Sequence, residues 1–101
     1  MKRYSFNSNG LELSYVDAGE INNSRRVIIA LHAHGMEATT FAAFTEKMQS
    51  DWRIIALDQR GHGFSEHAKT YTREDYISDI LNLFKHLRLD RAVLLGNSLG
   101  G

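Results

Sequence analysis

Gly96-Asn97-Ser98-Leu99-Gly100 sets a hydroxyl between two glycines at the spacing G-x-S-x-G. Ahead of it runs the apolar stretch Ala92-Val93-Leu94-Leu95, and behind it come Leu99-Gly100-Gly101. That context reads as a buried strand turning sharply into a helix. A serine on such a bend is held with its hydroxyl projecting outward. Side chains at Gly96 and Gly100 would collide across the turn. The helix start offers backbone N–H donors to the negative oxygen that attack on a carbonyl creates. Ser98 is therefore the candidate nucleophile and the N–H of Leu99 a candidate oxyanion donor. The bland alternative is a glycine-serine turn that ends a strand.

Two further clusters follow two further apolar runs. Leu31-His32-Ala33-His34-Gly35 closes the run 27–31, and Asp58-Gln59-Arg60-Gly61-His62-Gly63-Phe64-Ser65 follows the run 53–57. In a parallel sheet, sites lie beyond the carboxyl ends of the strands. Both loops should then share one edge with Ser98, and a backbone N–H of the first could complete an oxyanion hole. Gly61 and Gly63 let the second loop turn sharply, and Asp58, Arg60 and His62 read as residues that brace it. His32-Ala33-His34 also resembles a His-x-His metal pair, with Asp58 and His62 as further ligands. That reading leaves Ser98 unexplained, so neither metal nor cofactor is expected.

The elements that must position these residues are visible in the periodicity. Residues 4–7 and 11–16 alternate apolar and polar around Asn9-Gly10, which predicts an antiparallel hairpin. Residues 17–26 are polar and read as a surface loop; Asn22-Asn23-Ser24 in it is a chance match to a glycosylation sequon. The runs 27–31, 53–57 and 91–95 are continuous and rich in β-branched residues, as expected for strands covered on both faces. Between them, residues 40–49 carry Phe41, Phe44 and Met48 on one helical face. Residues 73–88 carry a stripe of Tyr76, Ile77, Ile80, Leu81, Phe84 and Leu87 behind a capping box at Thr72-Arg73-Glu74-Asp75. The order predicts an α/β domain whose mostly parallel sheet has an antiparallel edge hairpin.

Composition narrows the function classes. Twelve basic and twelve acidic residues give zero net charge, with no basic block to hold nucleic acid. No apolar run approaches the roughly 20 residues that span a bilayer. The first residues lack the apolar core of a secretory signal. Absence of cysteine removes disulfides and thiol nucleophiles. A cytoplasmic protein acting on a small molecule is the expectation.

Taken together, the three loops resemble the N-terminal half of an α/β-hydrolase fold enzyme. The chain is similar to the esterases, lactonases and carbon–carbon-bond hydrolases of that fold over nearly its whole length. The resemblance implies Ser98 as nucleophile and the backbone N–H groups of Leu99 and His34 as the oxyanion hole. It implies His32, Gly35, Asp58, Arg60, His62, Gly96 and Gly100 as supports of the motifs. One departure is Ala33, where the family usually has Gly. A shifted match on His34-Gly35 would make Met36 the donor, but His34 keeps Phe41 at the usual aromatic position opening the helix. Ser98 argues against the aspartate-nucleophile dehalogenases and epoxide hydrolases of the same fold.

In this family the acid and the histidine base follow the nucleophile, yet only Leu99-Gly100-Gly101 follow Ser98. The resemblance therefore implies the N-terminal part of one domain, 1–101, cut at the nucleophile turn. The missing C-terminal half is needed for activity on ester or acyl substrates. A non-catalytic truncated product or binding piece is the rival expectation.

Overall fold

A computed structural model of the chain describes residues 2–18, 26–33 and 35–96. Strands β1 (Lys2–Ser8) and β2 (Leu11–Ala18) form the hairpin. Asn9 (φ 51°) and Gly10 (φ 91°) both adopt left-handed backbone. Two such residues in succession define the tight turn whose twist matches that of its strands. The Gly10 N–H is held by Asn7 Oδ1 at 2.9 Å. Strand β2 reaches Ala18, beyond the predicted end at Val16. Asp17 belongs to the sheet and not to the loop, because Arg53 from the neighbouring strand takes its carboxylate at 2.7 Å. The pairing satisfies a charge that polarity alone would send to solvent.

Strands β3 (Val27–Leu31), β4 (Arg53–Asp58) and β5 (Val93–Gly96) supply the parallel part of the sheet. The order is β1-β2-β4-β3-β5, with β3 parallel to both β4 and β5 and the hairpin joined antiparallel to β4. Strand β5 starts at Val93, two residues after the predicted Arg91. Val93 is opposite Ile28, near the start of β3, so Arg91 and Ala92 have almost no strand beside them.

One helix lies on each face. On one side a 3₁₀ turn, Ala38–Phe41, leads into α1 (Ala42–Met48), where a single helix over 40–49 was predicted. Phe41 and Ala38 pack there on the small residues Ala30 and Ala56 and on Val16. On the other, α2 (Arg73–Leu87) lays Leu83 against Ile29, Leu31, Ile55, Leu57, Leu13 and Phe6. Alternate residues of one strand thus feed opposite cores, as the pleat requires. The predicted capping box is present: Thr72 accepts the Asp75 N–H, and Asp75 accepts the Thr72 N–H. The predicted stripe is corrected. Asp79 and Leu83 mark the deepest line of α2, while Ile77 and Leu81 are 46% and 56% exposed. These two sit roughly 100–140° round the helix from Tyr76 at 3.6 residues per turn. An ion pair at Asp79, described next, turns the helix so that they face away from the sheet.

Candidate active site

The carboxyl ends of the three parallel strands lie side by side. Leu31 pairs with Leu57 of β4 on one side and with Gly96 of β5 on the other. The chain therefore leaves β5 beside the loop that begins at His32. Ser98, Leu99, Gly100 and His34 lie outside the described residues. His32, Gly35, Asp58, Arg60, His62 and Gly96 are described, and the structure brings the two histidine loops together.

His32 is fully buried, and both of its ring nitrogens are engaged. Nε2 accepts the Gln59 N–H at 2.9 Å, so the ring proton sits on Nδ1 and is donated to the Ala33 carbonyl at 2.8 Å. The Gln59 side chain returns a bond from Nε2 to the His32 carbonyl, also at 2.9 Å. Burial holds the His32 pKa below its ordinary value; the Ala33 bond works against this, and the neighbouring His62 adds to it. The His62 ring stands 4.9 Å away at 51°, and its own Nδ1 lies 2.9 Å from the Arg60 carbonyl. Ala33 also accepts the Met36 N–H at 3.1 Å, closing a turn in which Gly35 takes φ 82°. Ala33 itself is not among the described residues with positive φ, so its methyl in place of the usual glycine strains no backbone.

Asp58 is a brace between loops. Its buried carboxylate accepts the Ala38 N–H at 2.7 Å and the Phe64 N–H at 3.1 Å, and it pairs with Arg3. Arg3 in turn covers the Phe64 ring at 4.3 Å. Gly63 is required here, because a Cβ would come within 2.4 Å of the Asp58 carboxyl. At Gly61 the obstacle is different: the Tyr71 hydroxyl would be 2.6 Å from a Cβ.

Arg60 ties the second loop to α2. It forks onto Asp79 and donates to the Thr70 carbonyl at 2.9 Å. The Asp79 hydrogen bond is the main cause that raises the Arg60 pKa. Ser8 completes the cluster by donating to Asp79 at 2.6 Å, and Asn82 donates to Ser8 at 3.0 Å. Sequence reasoning missed Asp79, Ser8 and Gln59. The one available sign was a carboxylate in the middle of an apolar helical stripe.

Between the loops opens a cleft of about 540 Å³ lined by Gly35, Met36, Glu37, Gly61, His62, Gly63 and Tyr71. No group of three or more metal-type side chains gathers among the described residues. The described members of the His-x-His metal reading have no donor to spare. His32 has spent both nitrogens on backbone groups, and the Asp58 carboxylate is committed to two amides and a guanidinium.

Comparisons with known proteins agree with this geometry. The sequence profile described as alpha/beta hydrolase fold matches residues 26–101. The 2-(acetamidomethylene)succinate hydrolase of Mesorhizobium japonicum is 33% identical over 92 residues, 84% of this chain and 33% of its own. Epoxide hydrolase 4 of Mus musculus is 30% identical over 95 residues, 91% of this chain and 26% of its own. Among solved structures, the enol-lactonase from Burkholderia xenovorans LB400 superposes with a TM-score of 0.91 at 32% identity. That match covers 96% of this chain and 38% of that one. The chain spans about a quarter to a third of the length of the curated relatives it matches.

Proposed function

The chain belongs to the alpha/beta hydrolase fold family, and from that premise we propose that it is the N-terminal part of a serine hydrolase acting on carboxylic esters or related acyl compounds. The observation that carries the reading is the pairing of Gly96 with Leu31. It brings the exit of β5, two residues before Ser98, beside the start of the His32 loop.

In this reading the Ser98 hydroxyl attacks the acyl carbonyl, and the alcohol or other leaving group departs to give an acyl-enzyme. Water then attacks the acyl-enzyme and releases the acid. The N–H groups of Leu99 and His34 hold the oxyanion in both steps. A serine needs a neighbouring base, and the base and its acid are assigned to the longer protein. Removing such a base costs on the order of 10⁶ in turnover, so the 101-residue polypeptide by itself is expected to be inactive. Acyl transfer of this kind needs no hydride or electron carrier and no metal.

The substrate is a small molecule. The balanced charge favours neither nucleic acid nor a membrane surface, and no helix among the described residues is long and apolar enough to cross a membrane. A cytoplasmic setting is part of the same proposal. The mouse relative's name invites epoxide opening instead, but the residue between the two motif glycines is Ser98, and an ester-forming carboxylate there would require Asp.

The test is hydrolysis of p-nitrophenyl butyrate by the full-length protein and its Ser98→Ala variant. The proposal expects turnover by the first and its loss in the second. Undiminished turnover in the variant contradicts it.

A further inference from the structure

The lining of the cleft between the two histidine loops is electrically one-sided. Gly35, Gly61 and Gly63 bring no side chain to it, and Met36, Glu37, His62 and Tyr71 bring the rest. Glu37 is the one carboxylate among these residues, and no lysine or arginine stands with it. Its charge is not spent on structure. The side chain does not cap the 3₁₀ turn that it precedes, and its hydrogen-bond partner among the described residues is the Thr39 hydroxyl, which donates to Oε1 at 2.8 Å. The two guanidinium groups that reach these loops are committed elsewhere, Arg3 to Asp58 and Arg60 to Asp79.

The walls suit a positive ligand. Tyr71 is 43% exposed, and its hydroxyl accepts the Ala68 N–H at 3.0 Å, which fixes the ring in the lining. Met36 is 47% exposed and adds a polarizable thioether. A carboxylate with an aromatic ring attracts an alkylammonium, by ion pairing and by the negative face of the ring. A carboxylate on the ligand would meet a like charge and no cation to answer it. The cleft also borders the strand end that leads to Ser98. His62 in its lining stands 4.9 Å from the ring of His32, whose loop starts beside the exit of β5. The charge of Glu37 is felt at His32, where it raises the ring's pKa against the larger effect of burial.

We propose that this cleft is the specificity subsite of the hydrolase, and that Glu37 selects substrates carrying an alkylammonium group over substrates carrying a carboxylate. The proposal rests on the acyl-transfer reading of Ser98 and names the substrate class of that site.

Three esters of similar length test it on the full-length protein: p-nitrophenyl 4-(trimethylammonio)butanoate, p-nitrophenyl butyrate and mono-p-nitrophenyl succinate. Each kcat/KM is divided by the ester's rate of uncatalysed hydrolysis. The parent should prefer the cationic ester to the neutral one by about fivefold, the upper size of a solvent-exposed ion pair, and the anionic ester should rank last. In Glu37→Gln the ratio of cationic to anionic kcat/KM should fall at least about fivefold, with the change carried by KM. A purely structural role for Glu37 would lower all three together; an unchanged ratio therefore overturns the proposal. The parent alone supplies a second measurement, which holds if the variant does not fold. Its preference should shrink from about 0.01 M to about 1 M salt, as the screening length falls from roughly 30 to roughly 3 Å. A preference for the anionic ester, or one indifferent to salt, overturns the proposal. Binding separates this result from the fate of Ser98. In Ser98→Ala, calorimetry should show the cationic ester bound about fivefold more tightly than the anionic one, and equal binding overturns the proposal. Hydrolysis that survives Ser98→Ala overturns the acyl-transfer reading instead.

Discussion

Arg60 and Asp79 meet through two parallel bonds, Nε to Oδ2 at 2.8 Å and Nη2 to Oδ1 at 2.9 Å, with side chains only 8% and 2% exposed. The pair fastens the loop that carries His62 to the middle of α2, and Ser8 fastens both to the hairpin. Removing Asp79 leaves the Arg60 charge with only the more exposed Asp75 carboxylate at 3.4 Å and the Thr70 carbonyl, so the loss approaches the roughly 3–5 kcal/mol of a broken buried pair. Asp79→Ala is therefore expected to lose that much stability in urea unfolding. The double variant Arg60→Met/Asp79→Leu should lose far less than the sum of its singles. Additive losses would contradict a coupled pair.

Two glycines of the same loop make a graded prediction. Gly61 and Gly63 both have positive φ, 76° and 54°, so alanine at either place incurs roughly 1–2 kcal/mol of left-handed strain. The neighbours decide the rest. At Gly61 the obstacle is Tyr71, a side chain 43% exposed and able to swing aside. At Gly63 it is the carboxylate of Asp58, which is fully buried and held by three partners. Thermal unfolding should show Gly63→Ala clearly less stable than Gly61→Ala. The reverse order would mean that Asp58 is not the brace described.

A pH dependence follows from the buried ring of His32. Its folded pKa is lowered by burial and by the facing His62, against the raising effects of the Ala33 bond, Asp58 and Glu37. The unfolded chain takes up the proton first, near the ordinary value of about 6.5. Its stability contribution is therefore whole above that pH and is lost as pH falls toward the folded value. Urea midpoints between pH 8 and pH 5 should fall more for the parent than for His32→Asn, which has no titrating ring at that position. Identical slopes would contradict a neutral, buried His32.

Much of this was legible in the sequence, and the misses share a cause. The hairpin, the three parallel strands and the capping box follow from periodicity and turn chemistry, which are local. Burial of β5 on both faces, expected from its apolar run, is corrected: it is an edge strand with Val93 and Leu94 more than half exposed. The hidden part lies in pairings between distant residues. Asp17 reads as loop until Arg53 is beside it. Leu83 and Asp79 set the buried line of α2 because Arg60 comes from another loop. In the candidate site, His32, Asp58 and Arg60 were identifiable as supports by type and place. That Gln59 grips His32 from both backbone and side chain had no signature in spacing. His34, Ser98, Leu99 and Gly100 lie outside the described residues, so their assignment rests on the motif and on the neighbours that flank it.

The edge of the sheet makes a solution prediction. Val93 and Leu94 of β5 are 52% and 53% exposed, and Ile77 and Leu81 of α2 are exposed as well. An apolar strand at a sheet edge invites pairing with another chain. Expressed by itself, the 101-residue polypeptide should self-associate with rising concentration in sedimentation velocity, and Leu94→Lys should reduce this. A monodisperse monomer with a sharp melt would contradict it.

Ser98 is proposed as an activated nucleophile. Treatment of the full-length protein with a fluorophosphonate, followed by intact mass and peptide mapping, tests it most directly. The predicted result is a single phosphonyl adduct on Ser98 that appears together with loss of esterase activity and is missing in Ser98→Ala. Labelling at another residue, or full activity after Ser98 is replaced, would contradict it.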